Sequence, residues 1–160
     1  MIILGIDPGL NTTGYGIIDS DGRQVQLITF GAITTRRTEE LAERLKIIFE
    51  KIQTLLSTYQ PDILAIEDIF YHENVRTAIV MGQARGVCML AAKLADVPIF
   101  EYAPKEIKMS LTGNGGASKQ QIQAMVQRLL NLPKPPRPLD ASDALAVAIC
   151  HHNRSRFHNH

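Results

Sequence analysis

The sequence predicts an α/β fold in which a mixed sheet carries helices on both faces. Three observations support this class. The first 35 residues alternate short apolar runs with tight turns, which is typical of antiparallel strands. The apolar spacing then changes to that of a helix. Further apolar runs alternate with helical segments, and such a series requires a parallel part in the sheet.

The antiparallel part consists of three predicted strands, at Ile2–Asp7, Gly14–Ile18 and Val25–Ile33. Pro8-Gly9 ends the first strand, and Asp21-Gly22 is a hairpin signal between the second and the third. Two tight connections in succession place the three strands side by side.

The parallel part follows. A helix is predicted from the spacing of its apolar residues, with Thr38 as its N-cap. A buried strand at Ile63–Ile66, a helix from about Thr77 to Asp96 and a strand at Val97–Phe100 complete this region. The apolar residues that define the first helix are Leu41, Leu45, Ile48, Ile52 and Leu55.

The C-terminal third is predicted to be helical but interrupted. Gly113–Gly116 form a flexible loop, and Ser118 is the N-cap of the helix that follows. Four prolines between Leu132 and Pro138 exclude a helix there. A final helix begins near Leu139 or Asp140 and is expected to end at about His152.

Length and composition fit one domain, which we place at residues 1–152 and follow with a polar tail at 153–160 that we expect to be disordered. No apolar run approaches the ~18 residues that span a bilayer. The N-terminus shows no secretion signal, and Cys88 and Cys150 lie in apolar helical patterns that suit reduced core thiols. We therefore expect a cytoplasmic protein with no membrane association.

The charge of the chain is unevenly distributed although its net value is only +1. Residues 1–103 carry 9 basic and 13 acidic residues, a net charge of −4, whereas residues 104–160 carry 8 basic and 3 acidic, a net charge of +5. A basic region in a near-neutral protein indicates either a phosphate-binding face or a solvated bias without a partner.

Four acidic residues stand at positions where a solvated acid is not expected. Asp7 ends the first strand, and Glu67 follows four apolar residues at the end of another. Asp140 and Asp143 are three residues apart, on one face at the start of the last helix. If the two strands are neighbours, all four carboxylates meet at the edge where open α/β sheets place their sites.

Clustered carboxylates suggest a site for hard cations. Two charges ~4 Å apart at an effective dielectric near 20 repel by about 4 kcal/mol, which protonation or a cation offsets. All-oxygen ligands suit Mg²⁺ or Mn²⁺ better than Zn²⁺, and two such ions can drive phosphodiester hydrolysis. Simpler interpretations are a turn residue for Asp7, an N-cap for Asp140 and a helix-dipole partner for Asp143.

Several motifs together resemble the RuvC-type Holliday junction resolvases, in that family's order and spacing, from Ile3 to about His151. They are GIDPG with the downstream TGYG, AIEDIF, GQARGV, FEY and DASDALA. The resemblance implies an RNase H-like fold with a mixed five-stranded sheet. It also implies that Asp7, Glu67, Asp140 and Asp143 are the catalytic acids, and from their all-oxygen chemistry we expect them to hold two Mg²⁺ ions that Mn²⁺ can replace. Some relatives carry His in place of the last acid.

The resemblance further implies a homodimer that resolves four-way DNA junctions during recombination and DNA repair. It would make paired, symmetric nicks that leave 5′-phosphates, together with a junction-binding protein and its branch-migration motor. Phe70 matches an aromatic residue that stacks on a base, and Lys108 and Lys119 match residues that contact the phosphate backbone. A loop anchor for Phe70 and solvated surface positions for both lysines are the simpler alternatives.

The helix at about Thr77–Asp96 is a candidate for the two-fold interface, because it combines small residues with apolar ones; plain packing of the helix on the sheet is the alternative. Three other functions share part of this pattern. An actin-like ATPase shares the first strand and turn but needs two such subdomains. An RNA-processing nuclease of the same fold is not separated by the carboxylates. A junction-binding module with a dead site conflicts with four intact acids.

Overall fold

The predicted mixed sheet is confirmed. A computed structural model of the chain describes residues 1–68 and 74–157, and in these ranges five strands form one sheet in the order β3-β2-β1-β4-β5. The strands are β1 (Ile2–Asp7), β2 (Thr12–Ser20), β3 (Val25–Thr34), β4 (Ile63–Glu67) and β5 (Ile99–Tyr102).

The sheet joins an antiparallel half to a parallel half at β1. Strand β1 pairs antiparallel with β2 and parallel with β4, while β3 and β5 extend the two sides. The hairpin between β2 and β3 is fixed by Asp21, whose Oδ1 accepts hydrogen bonds from the backbone N–H groups of Arg23 and Gln24, both at 2.7 Å. Because β1, β4 and β5 are parallel, their carboxyl ends lie at one edge.

Helices cover both faces of the sheet, as expected. One face packs on α1 and α2 around a core that includes Leu4, Ile6 and Ile66. The other packs on α3, α4 and α5 around a core that includes Ile3, Ala65 and Ile149. The helices are α1 (Leu41–Tyr59), α2 (Val75–Leu94), α3 (Pro104–Thr112), α4 (Lys119–Leu129) and α5 (Leu139–Phe157).

Alternation along the strands decides which face receives the acids. In β1, Ile3 belongs to the core beneath α5 whereas Leu4 and Ile6 belong to the core beneath α1 and α2. Because side chains alternate along a strand, Asp7 points to the α5 face. The same argument in β4, where Ala65 lies beneath α5, sends Glu67 to that face too.

Glycines in β1 and β2 allow α5 to lie with its backbone directly on the sheet. A Cβ added to Gly14 would collide with the carbonyl oxygen of Asp140, and one added to Gly5 would collide with that of Ala144. Gly14 is also the β2 partner of Asp7 in the antiparallel register. The first turn of α5 is therefore held immediately above the end of β1.

The predicted end of the last helix at His152 is wrong, because α5 continues to Phe157. Asn153 Nδ2 donates to the carbonyl oxygen and to Oγ of Ser110 on α3, both at 3.1 Å, and Arg154 pairs with Glu106 at 3.2 Å. These contacts order part of the segment that we expected to be a disordered tail. Residues 158–160 of that segment lie outside the described ranges.

Two other predicted boundaries are also wrong. Helix α1 begins at Leu41 after Glu40 and has no side-chain cap. Thr38 instead lies in a turn in which the backbone N–H of Glu39 donates to the carbonyl of Arg36. Strand β5 begins two residues later than predicted, because the backbone N–H of Val97 donates to the Ala92 carbonyl and completes the end of α2.

Both cysteines are buried free thiols, as the sequence indicated. Burial raises the pKa of Cys88 to about 12 and that of Cys150 to about 11, so neither is a reactive thiolate near neutral pH. None of the helices in residues 1–68 and 74–157 combines the length and apolar character needed to cross a membrane.

The contact between α5 and the glycines predicts a large difference between two glycine substitutions. Gly14→Ala should lower the free energy of unfolding by about 1–3 kcal/mol or more, because the added methyl meets helix backbone that cannot move aside. Gly116→Ala, in the loop before α4, meets only a side-chain atom at 3.4 Å and should change it by less than about 1 kcal/mol. Urea unfolding followed by circular dichroism measures both; equal stabilities would contradict this packing.

Candidate active site

The structure brings the four predicted acids together. Asp7 and Glu67 end the adjacent parallel strands β1 and β4, whose register pairs Ile6 with Ile66. Asp140 and Asp143 lie in the first turns of α5 above them. All four line one cavity of about 540 Å³. The expectation that strand order would unite these carboxylates is therefore confirmed.

Asp7 is the acid most affected by its surroundings. Burial, followed by the charges of Glu67 and Asp143, raises its pKa from an ordinary 3.8 to about 9. Protonated Asp7 donates a hydrogen bond to the Glu67 carboxylate, so the two strand acids share one proton in the metal-free protein. At neutral pH this proton therefore removes one negative charge from the cluster.

The pKa values of Glu67 and Asp143 are also raised, in each case mainly by burial. Repulsion adds to the effect, from Asp143 on Glu67 and from Asp140 on Asp143. Lys119 opposes both shifts: its Nζ lies 3.5 Å from Asp143 Oδ2. Lys108 also lowers the pKa of Glu67. Four acids and two lysines thus form one electrostatic unit.

Both predicted lysines line the same cavity as the acids. Lys108 lies on α3, and Lys119 is the first residue of α4. The start of α4 is fixed by a capping box: Ser118 Oγ accepts from the Gln121 N–H at 3.2 Å, and Gln121 Oε1 accepts from the Ser118 N–H at 2.8 Å. The predicted cap is confirmed, and it holds Lys119 at the mouth of the cavity.

The loop from Pro8 to Thr12 forms the wall of the cavity next to Asp7. Thr13 Oγ1 donates to the carbonyl of Gly9 at 2.6 Å, and Thr35 Oγ1 donates to the carbonyl of Leu10 at 2.6 Å. Asn11 in this loop accepts a hydrogen bond from buried Arg44. The sequence interpretation missed Asn11 and Arg44. One signal was available, because an arginine stands among the apolar residues on the buried face of α1, which are Ile48, Ile52 and Leu56.

The acids suit a divalent cation by the chemistry of their donors. In the described parts of the chain, no three His, Cys, Asp or Glu side chains converge closely enough to hold a metal as they stand. Asp143 is drawn to Lys119, and Asp7 and Glu67 share a proton. A cation would replace these charges, and an all-carboxylate set fits Mg²⁺ or Mn²⁺.

A larger cavity of about 1210 Å³ lies between α3 and the end of α5, where Met109, Arg154 and Phe157 are among its lining residues. Glu106 is its one acid among the described residues, and it pairs with Arg154. The smaller cavity with the four acids is therefore the candidate active site. Phe70, predicted to stack on DNA, lies outside the described residues.

The sheet order and the carboxylates at the ends of β1 and β4, facing those of α5, define the class as an RNase H-like nuclease fold. Comparison with known proteins agrees. Residues 3–151 match the family model described as "Crossover junction endodeoxyribonuclease RuvC". A curated relative of that name from Alkaliphilus oremlandii is 50% identical over 157 residues, covering 98% of this chain and 96% of the relative.

Solved structures give the same result. A Thermus thermophilus RuvC structure has a TM-score of 0.92 at 32% identity and covers 99% of this chain and 97% of its own. T. thermophilus RuvC in complex with Holliday junction substrate has a TM-score of 0.95 at 32% identity, with coverages of 99% and 96%. This chain belongs to the RuvC family of crossover junction endodeoxyribonucleases. That membership removes the actin-like ATPase from consideration.

The raised pKa of Asp7 predicts how stability depends on pH without metal. Between pH 3.8 and about 9 the folded protein keeps a proton that the unfolded chain releases, so the free energy of unfolding falls as pH rises. The Asp7→Asn variant has no such proton, so its stability should not fall in this way. In EDTA at pH 8 its free energy of unfolding should exceed that of wild type by more than about 1.4 kcal/mol, the equivalent of one pKa unit. The advantage should shrink towards pH 4 in urea titrations; a constant difference would contradict the assignment.

Proposed function

We propose that this protein resolves four-way DNA junctions by divalent-metal-dependent hydrolysis at Asp7, Glu67, Asp140 and Asp143. The observation that carries the proposal is the convergence of these four acids with two lysines in one cavity of a RuvC-family chain. The T. thermophilus relative, with a TM-score of 0.95, is solved in complex with Holliday junction substrate. That likeness favours a DNA junction over an RNA substrate.

The four carboxylates would hold two Mg²⁺ ions, which Mn²⁺ can replace. When bound, the ions supply an activated water and charge neutralisation at the scissile phosphate, and the cleaved strand keeps a 5′-phosphate. The contribution of the chain is to fix the ligands: β1 and β4 hold two acids on a rigid sheet edge, and α5 holds two above them. Asp143, exposed enough to contact Lys119, is the ligand that a histidine could replace.

The lysines would offset the charge of the acids where the DNA enters. A cluster of four carboxylates repels a phosphodiester, and Lys108 and Lys119 line the cavity beside it. Lys119 pairs with Asp143 in the free protein and would exchange this contact for a backbone phosphate when metal occupies the acids. Phe70, in the segment that follows Glu67, is proposed to stack on a base near the junction centre.

A homodimer would supply two such sites with opposite strand polarity. Helix α2 supports this proposal, because its buried residues lie on one face and a second face is exposed. The exposed face carries a stripe at helical spacing, the α2 stripe: Val75, Ile79, Gly82, Gly86 and Leu90. The glycines permit close approach of a second helix, and the apolar residues favour burial.

Action on recombination and repair intermediates implies work beside a junction-binding protein and a branch-migration motor, as the family resemblance suggests. Two buried free thiols favour the cytoplasm, where thiols stay reduced.

Amide variants of the acids test the catalytic roles. Asp7→Asn, Glu67→Gln and Asp140→Asn should each lower cleavage of a synthetic junction at least about a hundredfold in Mg²⁺ while leaving junction binding within about threefold, because each removes a metal ligand and no phosphate contact. Asp19→Asn, at the opposite end of the sheet, is the control and should cleave normally. Normal cleavage by Asp7→Asn would refute the site.

Neutral variants of the lysines test the phosphate contacts. Lys108→Gln and Lys119→Gln should each weaken junction binding regardless of sequence. Each should also reduce the slope of log affinity against log salt by roughly 0.7–0.9, the value for one lost phosphate contact. Lys46→Gln on α1, which pairs with Glu50 on the other face of the sheet, should leave the slope unchanged. An unchanged slope in both site variants would exclude them as contacts.

The dimer is tested by mass and by product. Sedimentation at micromolar concentration should give twice the 17.8 kDa chain mass. Leu90→Asp on α2 should lower the measured mass to that of one chain, whereas the control Leu129→Asp on α4 should leave it unchanged. In Mg²⁺ a supercoiled cruciform plasmid should become mainly linear, with little nicked circle, and excess EDTA should abolish cleavage. A wild-type monomer that stays monomeric on junction DNA would contradict the proposal.

A further inference from the structure

Arg44 is a buried arginine whose hydrogen-bond partners are all neutral. It is 8% exposed, and within residues 1–68 and 74–157 it forms no ion pair with a carboxylate. Its Nε donates to Thr35 Oγ1 at 2.8 Å and its Nη2 to Asn11 Oδ1 at 2.5 Å. A buried charge without a counter-ion is costly, so this position suggests a nearby anion that arrives with the substrate.

The contact with Arg44 determines which way the Asn11 amide faces. A guanidinium can only donate hydrogen bonds, so Asn11 must present its oxygen to Arg44 and direct its NH₂ group elsewhere. Asn11 is exposed and lines the same cavity as the four acids. Among the described residues its Nδ2 has no acceptor. Two N–H donors, polarised by the cation behind them, therefore remain for a ligand.

The backbone around Asn11 is already fixed. Its carbonyl accepts from the N–H of Thr35 at 3.1 Å, and the preceding carbonyl, of Leu10, accepts from Thr35 Oγ1 at 2.6 Å. Thr35 also receives the second hydrogen bond from Arg44. The amide is thus held in place before any ligand binds, which lowers the entropic cost of binding.

The charge distribution of the cavity indicates what the ligand is. Lys108 and Lys119 line it from α3 and α4, which follow β5 at one edge of the sheet. Pro8–Thr12 lead from β1 into β2, on the other side of β1, and contribute no charged side chain to the wall that they form. Arg44, behind Asn11, is a cation that hydrogen-bonds to that wall. A strand that crosses the four acids needs donors on both sides of them, and the anionic group that recurs along it is the phosphodiester.

We propose that Asn11 binds a backbone phosphate of the DNA strand on the side of the acids opposite Lys108 and Lys119, and that Arg44 is its positioning residue. The amide Nδ2 donates to a non-bridging phosphate oxygen, while Arg44 fixes the amide orientation and supplies the positive charge. The inference rests on the proposed function, since it assigns a further contact to the same DNA substrate.

Asn11→Asp is the sharpest test, because it should preserve or raise thermal stability and yet weaken junction binding. The new carboxylate should pair with Arg44, so the midpoint of thermal unfolding should stay equal or rise. The same carboxylate should repel the phosphate, so junction binding should weaken roughly tenfold or more. Gln26→Glu, an equal charge change near the opposite end of β3, is the matched control and should bind within about twofold of wild type.

A second pair of variants separates positioning from plain structure. Asn11→Ala and Arg44→Gln should weaken junction binding to a similar extent. The double variant should bind as tightly as the single variant of lower affinity, because both substitutions act on one contact. A single neutral methylphosphonate scanned along the junction strand should weaken wild type at one position where it does not weaken Asn11→Ala. This scan needs only the exposed Asn11 variant if Arg44→Gln does not fold.

The inference is overturned if Asn11→Asp binds as Gln26→Glu does, if it loses thermal stability, or if no phosphate position shows the differential response. These results are distinct from failure of the proposed function. In that case wild type itself would neither bind nor cleave the junction in Mg²⁺.

Discussion

The backbone of α5 lies directly on the glycines of β1 and β2, and the geometry of the site depends on that contact. Gly5 and Gly14 have no Cβ, so the carbonyls of Ala144 and Asp140 occupy the space a side chain would need. The helix therefore starts above the carboxyl end of β1, where its first two turns carry Asp140 and Asp143. A helix lifted by one methyl group would separate these acids from Asp7 and Glu67.

This arrangement is unfavourable electrostatically. Burial and mutual repulsion raise the pKa values of three of the acids, and Lys119, Lys108 and the proton shared by Asp7 and Glu67 reduce that repulsion. The packing beneath α5 offsets the cost, because its core of Ile3, Leu145 and Ile149 is fully buried. A site held together against its own repulsion is prepared to accept cations and then a phosphodiester.

Much of this could be predicted from the sequence, and the reasons are physical. Asp7 and Glu67 end apolar runs. A run buried on both faces must be an interior strand, so the carboxylate at its end lies where the strand leaves the sheet. The spacing of Asp140 and Asp143 places them on one helix face wherever that helix docks. The class followed from motif order, which the family match supports.

Contacts between distant segments could not be predicted. Asn153 and Arg154 extend α5 through partners on α3 more than 40 residues away, and polarity alone suggested a disordered tail. Arg44 occupies a position that periodicity reserves for an apolar residue, and only the fold reveals Asn11 and Thr35 as its partners. Local patterns report secondary structure well, whereas polar networks across elements require the assembled fold.

The four acids form a candidate cation site in which a proton on Asp7 offsets part of the negative charge until metal binds. Calorimetric titration of Mn²⁺ into the DNA-free protein at pH 7, repeated in buffers of different ionisation enthalpy, measures the protons released on binding. Because the pKa of Asp7 is raised to about 9, we expect saturable binding with release of roughly one proton per site. Binding heats independent of the buffer, or no binding at all, would contradict it.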